Sequence, residues 1–211
     1  MSSVCLHVMG FICSTLGWIS LLIATGSKEW VQTCSMQASA CQQFQSIKLR
    51  GLWTECYRSA EAYHCKTLSD ILRIPAYLQA SRALMITASI LGLPAILLIL
   101  MALPCMRLGA ENRSSKHKRS MLGAFLLILL AICSAVATIW FPVGVHEAEY
   151  LFNFGYSLFL GWIGTGLCLF GGAVIACCTG PSPELPENRY YFASQGSSSM
   201  VNPTHAKSAH V

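Results

Sequence analysis

Four long runs of this chain contain no Lys, Arg, Asp or Glu: His7 to Gly26, Ala83 to Leu103, Met121 to Phe141 and Gly155 to Cys178. Each is about 20 residues, enough at about 1.5 Å per residue to cross a hydrocarbon core roughly 30 Å thick. A backbone in lipid must satisfy its own N–H and C=O groups, so runs of this length are read as helices. With 54% hydrophobic and 11% charged residues, the chain lies far from the balance of a soluble domain. The expected fold is therefore built from membrane spans rather than around a water-excluded core.

The first run begins within seven residues of Met1, lacks a basic leader and shows no small-x-small cleavage site, so it is expected to be a retained span. The stretch "RLGAENRSSKHKR", Arg107 to Arg119, packs five Lys/Arg into thirteen residues and is expected to be cytosolic. The long outer segment holds no fewer basic residues in total, so density rather than count carries the orientation. The resulting layout is a cytosolic N-terminus (1–6), spans at 7–26, 83–103, 121–141 and 155–178, and outer segments at 27–82 and 142–154. A basic inner loop (104–120) and a cytosolic tail (179–211) complete it.

Cys34, Cys41, Cys56 and Cys65 then face an oxidising space, and their even number suits disulfides. Zinc fails on spacing, since no C-x-x-C is present among them. "EWVQTC", "QFQSIKL", "LWTECYR" and "YHCKTL" are short runs rich in β-branched and aromatic residues, which predicts a small antiparallel sheet. If Cys56 opposes Cys65 across a hairpin, Tyr57 faces His64, Glu55 faces Lys66, Thr54 faces Thr67 and Trp53 faces Leu68, with the turn at "SAEA". Such a crosslink removes loop entropy on the order of 3 kcal/mol, large for a sheet of this size. A second bridge between Cys34 and Cys41 is expected across a hairpin of the first two strands. Cys105, Cys177 and Cys178 lie at inner span ends, where S-palmitoylation and plain small-residue packing are equally good readings.

Trp30, Gly51-Leu52-Trp53, Cys56, Cys65 and Arg82 together form a W…GLW…C…C…R pattern that resembles the claudins, and the four-span layout matches theirs over essentially the whole chain. The resemblance implies a membrane α-helical fold, a left-handed four-helix transmembrane bundle with a small extracellular antiparallel β-sheet. It also implies a plasma-membrane protein of tight junctions that polymerises with itself and with other claudins, sealing the space between cells or forming charge-selective pores. Trp30 and the Leu52-Trp53 pair are expected where sheet meets lipid headgroups, with interior packing as the alternative. Claudins resemble one another in placing a selectivity-setting side chain near Lys66. Lysine there is expected to restrict cations, helped by Lys48, Arg50 and Arg58, unless Glu55 opposite neutralises it.

The second outer loop, "PVGVHEAEYLFNF", lacks the Phe-Tyr-Asn-Pro run through which better-understood claudins adhere. Tyr150, Leu151 and Phe152 are the apolar candidates for contact with the opposing cell, or else the start of the fourth helix. His146 beside Glu147 is either a pH-sensitive spot or a solvated pair. In the fourth span Ser157, Gly161 and Thr165, and Gly164, Cys168 and Gly172, recur every four residues and permit close helix approach. No ionisable group lies mid-span, which argues against a pump or transporter. No nucleotide loop, no positioned nucleophile and no paired carboxylates are present, so neither an enzyme nor a cofactor, metal or nucleic-acid ligand is expected; membrane lipid is.

The tail after Cys178 is rich in Pro, Ser and Gly and is expected to be disordered. Its end, Ala209-His210-Val211, suits strand addition to a PDZ scaffold, although claudin tails more often end in Tyr-Val. Asn112-Arg113-Ser114 lies on the inner loop and Asn202-Pro203-Thr204 carries a forbidding proline, so neither is an expected glycosylation site. Relatives sharing the W-GLW-C-C loop include calcium-channel gamma subunits, which leaves a regulatory channel subunit and a non-polymerising tetraspan adhesion protein as the rival functions. The short tail counts against the gamma reading.

Overall fold

The computed structural model describes residues 2–34, 47–58, 62–70, 74–103, 113–148 and 152–178. The described helices are α1 (Ser2–Gly26), α2 (Ala76–Ala102), α3 (Arg113–Ala148) and α4 (Tyr156–Cys178). The strands are β1 (Val31–Cys34), β2 (Ile47–Arg50), β3 (Thr54–Arg58), β4 (Tyr63–Thr67) and β5 (Phe152–Phe154).

All four helices are long and apolar enough to cross a membrane. Ile12, Leu16, Ile90, Leu93, Leu122, Phe125 and Ile163 point outward and are exposed, an apolar surface suited to hydrocarbon. Leu21, Met85, Ile99, Leu127, Leu130, Leu158 and Ile175 fill the bundle interior. At the α1–α4 contact a Cβ on Gly17 would stand 2.7 Å from the Gly164 carbonyl oxygen, so the two backbones touch and the four-residue small-residue spacing has its physical use. Two buried hydroxyls inside the bundle return to their own helix backbone: Ser14 donates to Gly10 O and Thr138 to Ser134 O. Ser134 and Thr165 bond across α3 and α4 at 2.9 Å.

Helix ends overrun the apolar runs. α2 starts just after Pro75, whose carbonyl accepts the Leu78 N–H at 3.0 Å; proline cannot extend a helix toward its own N-terminal side but begins one readily. α3 continues beyond both ends of its charge-free run and keeps Pro142 within it. The absence of charge marks where lipid ends, not where the helix does.

The sheet is antiparallel in the order β4-β3-β2-β1-β5. Thr54 pairs with Thr67, Glu55 with Lys66, Cys56 with Cys65 and Tyr57 with His64, and the Leu68 N–H donates to Trp53 O at 2.9 Å. Cys56 and Cys65 are disulfide-bonded. β5 is new relative to the sequence reading: Phe152 neither starts the fourth helix nor stands free, but pairs with Thr33 of β1 while Phe154 pairs with Val31. The second outer loop thereby becomes the fifth strand of the first loop's sheet.

Candidate functional site: the outer sheet and its seat on the bundle

A helix ends with carbonyls that lack intrahelical partners, and α1 ends at Gly26 beneath the sheet. Ser27 Oγ donates to Ile23 O at 2.8 Å, Trp30 Nε1 to Ala24 O at 2.8 Å and Trp53 Nε1 to Thr25 O at 2.9 Å. Two tryptophans from different strand ends thus cap one helix. Trp30 is wholly buried, edge-on to Phe141 of α3 at 5.1 Å, and Leu52 is wholly buried as well. Trp30 and Leu52 thus pack in the protein interior, the packing alternative expected for them, with the Trp30 indole N–H spent on a helix carbonyl.

Arg82, on the outer part of α2, closes the arrangement. Its Nε donates to Leu52 O at 2.5 Å and its Nη2 to Leu68 O at 3.2 Å, while the guanidinium lies 5.1 Å from the Trp53 ring. The planar fork holds the loop before β3 and the end of β4 in one grip, which a lysine could not reproduce. A Cβ on Gly51 would sit 2.6 Å from Lys28 Cα, so this glycine is required by close approach of two backbones. Trp30, Gly51, Leu52, Trp53 and Arg82, scattered over some fifty residues of sequence, therefore form one joint between sheet and bundle.

On the sheet, Glu55 is buried and caught between two cations of β2: Lys48 Nζ is 2.7 Å from its Oε1, Arg50 Nη2 is 3.1 Å away, and Arg50 Nε donates at 3.3 Å. Arg50 also donates to the Tyr77 hydroxyl of α2 at 3.1 Å. Burial pushes the Glu55 carboxyl up, but hydrogen bonds and charge from Lys48 and Arg50 outweigh it and hold the group below its ordinary value. The alternative in which Glu55 neutralises Lys66 is not the arrangement seen here. The two face each other in register, yet the carboxylate leans to the interior strand and Lys66 stays exposed on the edge, with no ion pair to it among the described residues. Lys28 stacks 5.1 Å from the Tyr63 ring, and hydrogen bonding to Tyr63 raises its pKa.

The family model for the PMP-22/EMP/MP20/Claudin family matches residues 4–175. Claudin-11 of Mus musculus and Claudin-11 of Homo sapiens are each 52% identical to this chain over 211 residues, covering all of both chains. Claudin-1 of Rattus norvegicus is 30% identical over 201 residues, 90% of this chain and 94% of that one. The chain belongs to the PMP-22/EMP/MP20/Claudin family. It is a claudin of the tight junction, a multi-pass plasma-membrane protein that is structural rather than enzymatic.

Other expected positions in this claudin fall out as follows. Phe152 is half-buried, edge-on to His146 at 5.8 Å and to Phe154 at 5.5 Å, so His146 has an aromatic neighbour and is not merely solvated. Tyr150 and Leu151 lie outside the described residues, as do Cys105, Ala209, His210 and Val211. Cys34 pairs along the backbone with Ile47, whereas Cys41 lies outside the described residues and takes the second bridge with it. Cys177 is exposed and Cys178 half-buried at the end of α4. Among the described residues no cluster of His, Cys, Asp or Glu could hold a metal. The partners of Glu55 were missed by sequence reasoning. The Gly51 N–H donates to Thr54 O at 2.9 Å, which leaves Leu52-Trp53 as the turn and sets Arg50 opposite Glu55 across four intervening residues.

Proposed function

We propose that this claudin polymerises in the plane of the membrane and against the neighbouring cell, and that the resulting wall restricts cations. Family membership supports assembly with itself and with other claudins. The observation that carries the selectivity is the exposed Lys66 on edge strand β4, freed from Glu55 because Lys48 and Arg50 hold that carboxylate. Two like charges 4 Å apart repel by about 1 kcal/mol in water and about 4 kcal/mol at a protein-surface dielectric. Each 1.4 kcal/mol is about tenfold, so one lysine suffices to set a preference.

The test is dilution potentials across a claudin-poor epithelial monolayer. Lys66→Ala raises sodium permeability relative to chloride, while Glu55→Ala lowers it by leaving Lys48 and Arg50 unbalanced. Potentials unaltered by Lys66→Ala refute the role. Freeze-fracture of cells lacking other claudins tests assembly: continuous strands support it, and scattered particles favour the channel-subunit or simple-adhesion alternatives. The tail end Ala209-His210-Val211 is proposed to dock a PDZ scaffold through the terminal carboxylate; deleting Val211 abolishes that binding and leaves strands intact. Tyr150, Leu151 and Phe152 are the proposed contacts to the opposing cell, and Cys105, Cys177 and Cys178 the proposed acylation sites.

A further inference from the structure

The geometry points to Tyr77 of α2 as a positioning residue for charge selection: its hydroxyl orients Arg50, which keeps the Glu55 carboxylate on the β2 side of the sheet and away from Lys66. The inference rests on the cation-restricting role proposed for Lys66 and adds a group from the helix bundle to it. In register, Glu55 has Arg50 on one side and Lys66 on the other. Arg50 Nε and Nη2 both donate to Glu55 Oε1, at 3.3 and 3.1 Å, while Nη1 of the same guanidinium donates to the Tyr77 hydroxyl oxygen at 3.1 Å. The guanidinium is planar and rigid, so fixing one N–H fixes the direction of the others. A long side chain is thereby aimed from its far end.

Tyr77 can aim it because Tyr77 is itself fixed. It lies in the first turn of α2, with its ring edge-on to Phe141 of α3 at 6.2 Å. A Cβ on Gly144 of α3 would stand 2.3 Å from that ring, so the absence of a side chain at 144 is what lets the tyrosine lie against the helix. Phe141 in turn meets Trp30 of the joint at 5.1 Å. The strands supply the charges of the row, and two helices supply the hydroxyl that directs them.

Lys48 holds the same Glu55 Oε1 at 2.7 Å, its Nζ standing 5.5 Å from the ring of Tyr57, an exposed residue of the sheet. This second hold does not pass through the bundle. Removing the Tyr77 hydroxyl therefore shifts the carboxylate toward Lys66 without releasing it from β2 altogether. One hydrogen bond biases such a choice by roughly two- to tenfold, and whatever fraction of Glu55 reaches Lys66 cancels that fraction of its charge toward passing ions.

The test is zero-length carbodiimide crosslinking of purified full-length protein in detergent, with the amides mapped by peptide mass spectrometry. Each amide joins the Glu55 carboxyl to the lysine lying against it, Lys48 or Lys66. Tyr77→Phe keeps the ring on α3 and removes only the hydroxyl; it raises the Glu55–Lys66 product relative to Glu55–Lys48 by about two- to tenfold. A hydroxyl that only stabilised the fold would lower the melting midpoint and leave this ratio where it was. In a claudin-poor epithelial monolayer, Tyr77→Phe raises sodium permeability relative to chloride by about twofold, and the rise is absent in a Glu55→Gln background, where no carboxylate can move. An unchanged crosslink ratio overturns the inference even where Lys66→Ala alters the dilution potentials, and so does a rise that persists with Glu55→Gln. A raised ratio with unaltered potentials supports Tyr77 as the group that positions Glu55 and refutes the role of Lys66 instead.

Discussion

Replacing Trp53 by phenylalanine separates the capping role of the signature tryptophan from its bulk. The phenyl ring keeps apolar contact and still lies beneath the Arg82 guanidinium, but the N–H that reaches Thr25 O at 2.9 Å is gone. Thr25 is the penultimate residue of α1, so its carbonyl has no helical donor to fall back on. A part-buried acceptor left without a partner costs about 1–3 kcal/mol. At about 2–4 °C per kcal/mol for a chain of this size, a loss of about 2 kcal/mol lowers the melting midpoint by about 4–8 °C. The matched control is Trp140→Phe, the same chemical change at an indole that is 56% exposed on the outer face of α3, where a shift within about 0.5 kcal/mol is expected. Both variants are purified in the same detergent and melted by circular dichroism. Equal shifts for Trp53→Phe and Trp140→Phe would show that the hydrogen bond to α1 contributes nothing, and the joint would have to be held by packing alone.

Gly155→Ala places a Cβ 1.9 Å from Glu29 O, a backbone overlap with no flexible atom to yield; surface biotinylation is expected to show the variant retained inside the cell, while Gly26→Ala, which meets nothing within 4 Å, reaches the surface normally. Cys65→Ser removes the crosslink to Cys56 and lowers stability by about 3 kcal/mol; a parent-like melting midpoint in the variant under non-reducing conditions would exclude the crosslink as a source of stability. Glu55, held below its ordinary value near 4.5 by Lys48 and Arg50, contributes stability that is fully present above that value and lost as pH falls through the depressed folded value. Glu55→Gln therefore flattens the fall in melting midpoint below about pH 4.5, and a parent-like acid slope in the variant would exclude this carboxylate as the cause.

The spans were legible because lipid imposes a rule on every residue in turn: a single charge would have broken any of the four runs, and none is there. The β3–β4 hairpin was legible for a comparable reason, since one covalent pair, Cys56 with Cys65, fixes the register of every neighbour. β5 had no such anchor. It is three residues, Phe152–Phe154, and owes its existence to β1 more than a hundred positions earlier; a strand that short has no period to detect, and its pairing is decided by where α3 and α4 deliver its ends. The fate of Glu55 was hidden differently. Arg50, Glu55 and Lys66 lie in one row across three strands, so register alone offers the carboxylate a partner on either side. Burial breaks the tie. Toward β2 the carboxylate meets two donors in a half-enclosed setting, where each charge-assisted bond is stronger and an unpaired charge would cost most; toward β4 it meets a single lysine at an open edge, where water competes and a long side chain must be immobilised. The same reasoning leaves the edge lysine exposed, with no ion pair to Glu55 among the described residues.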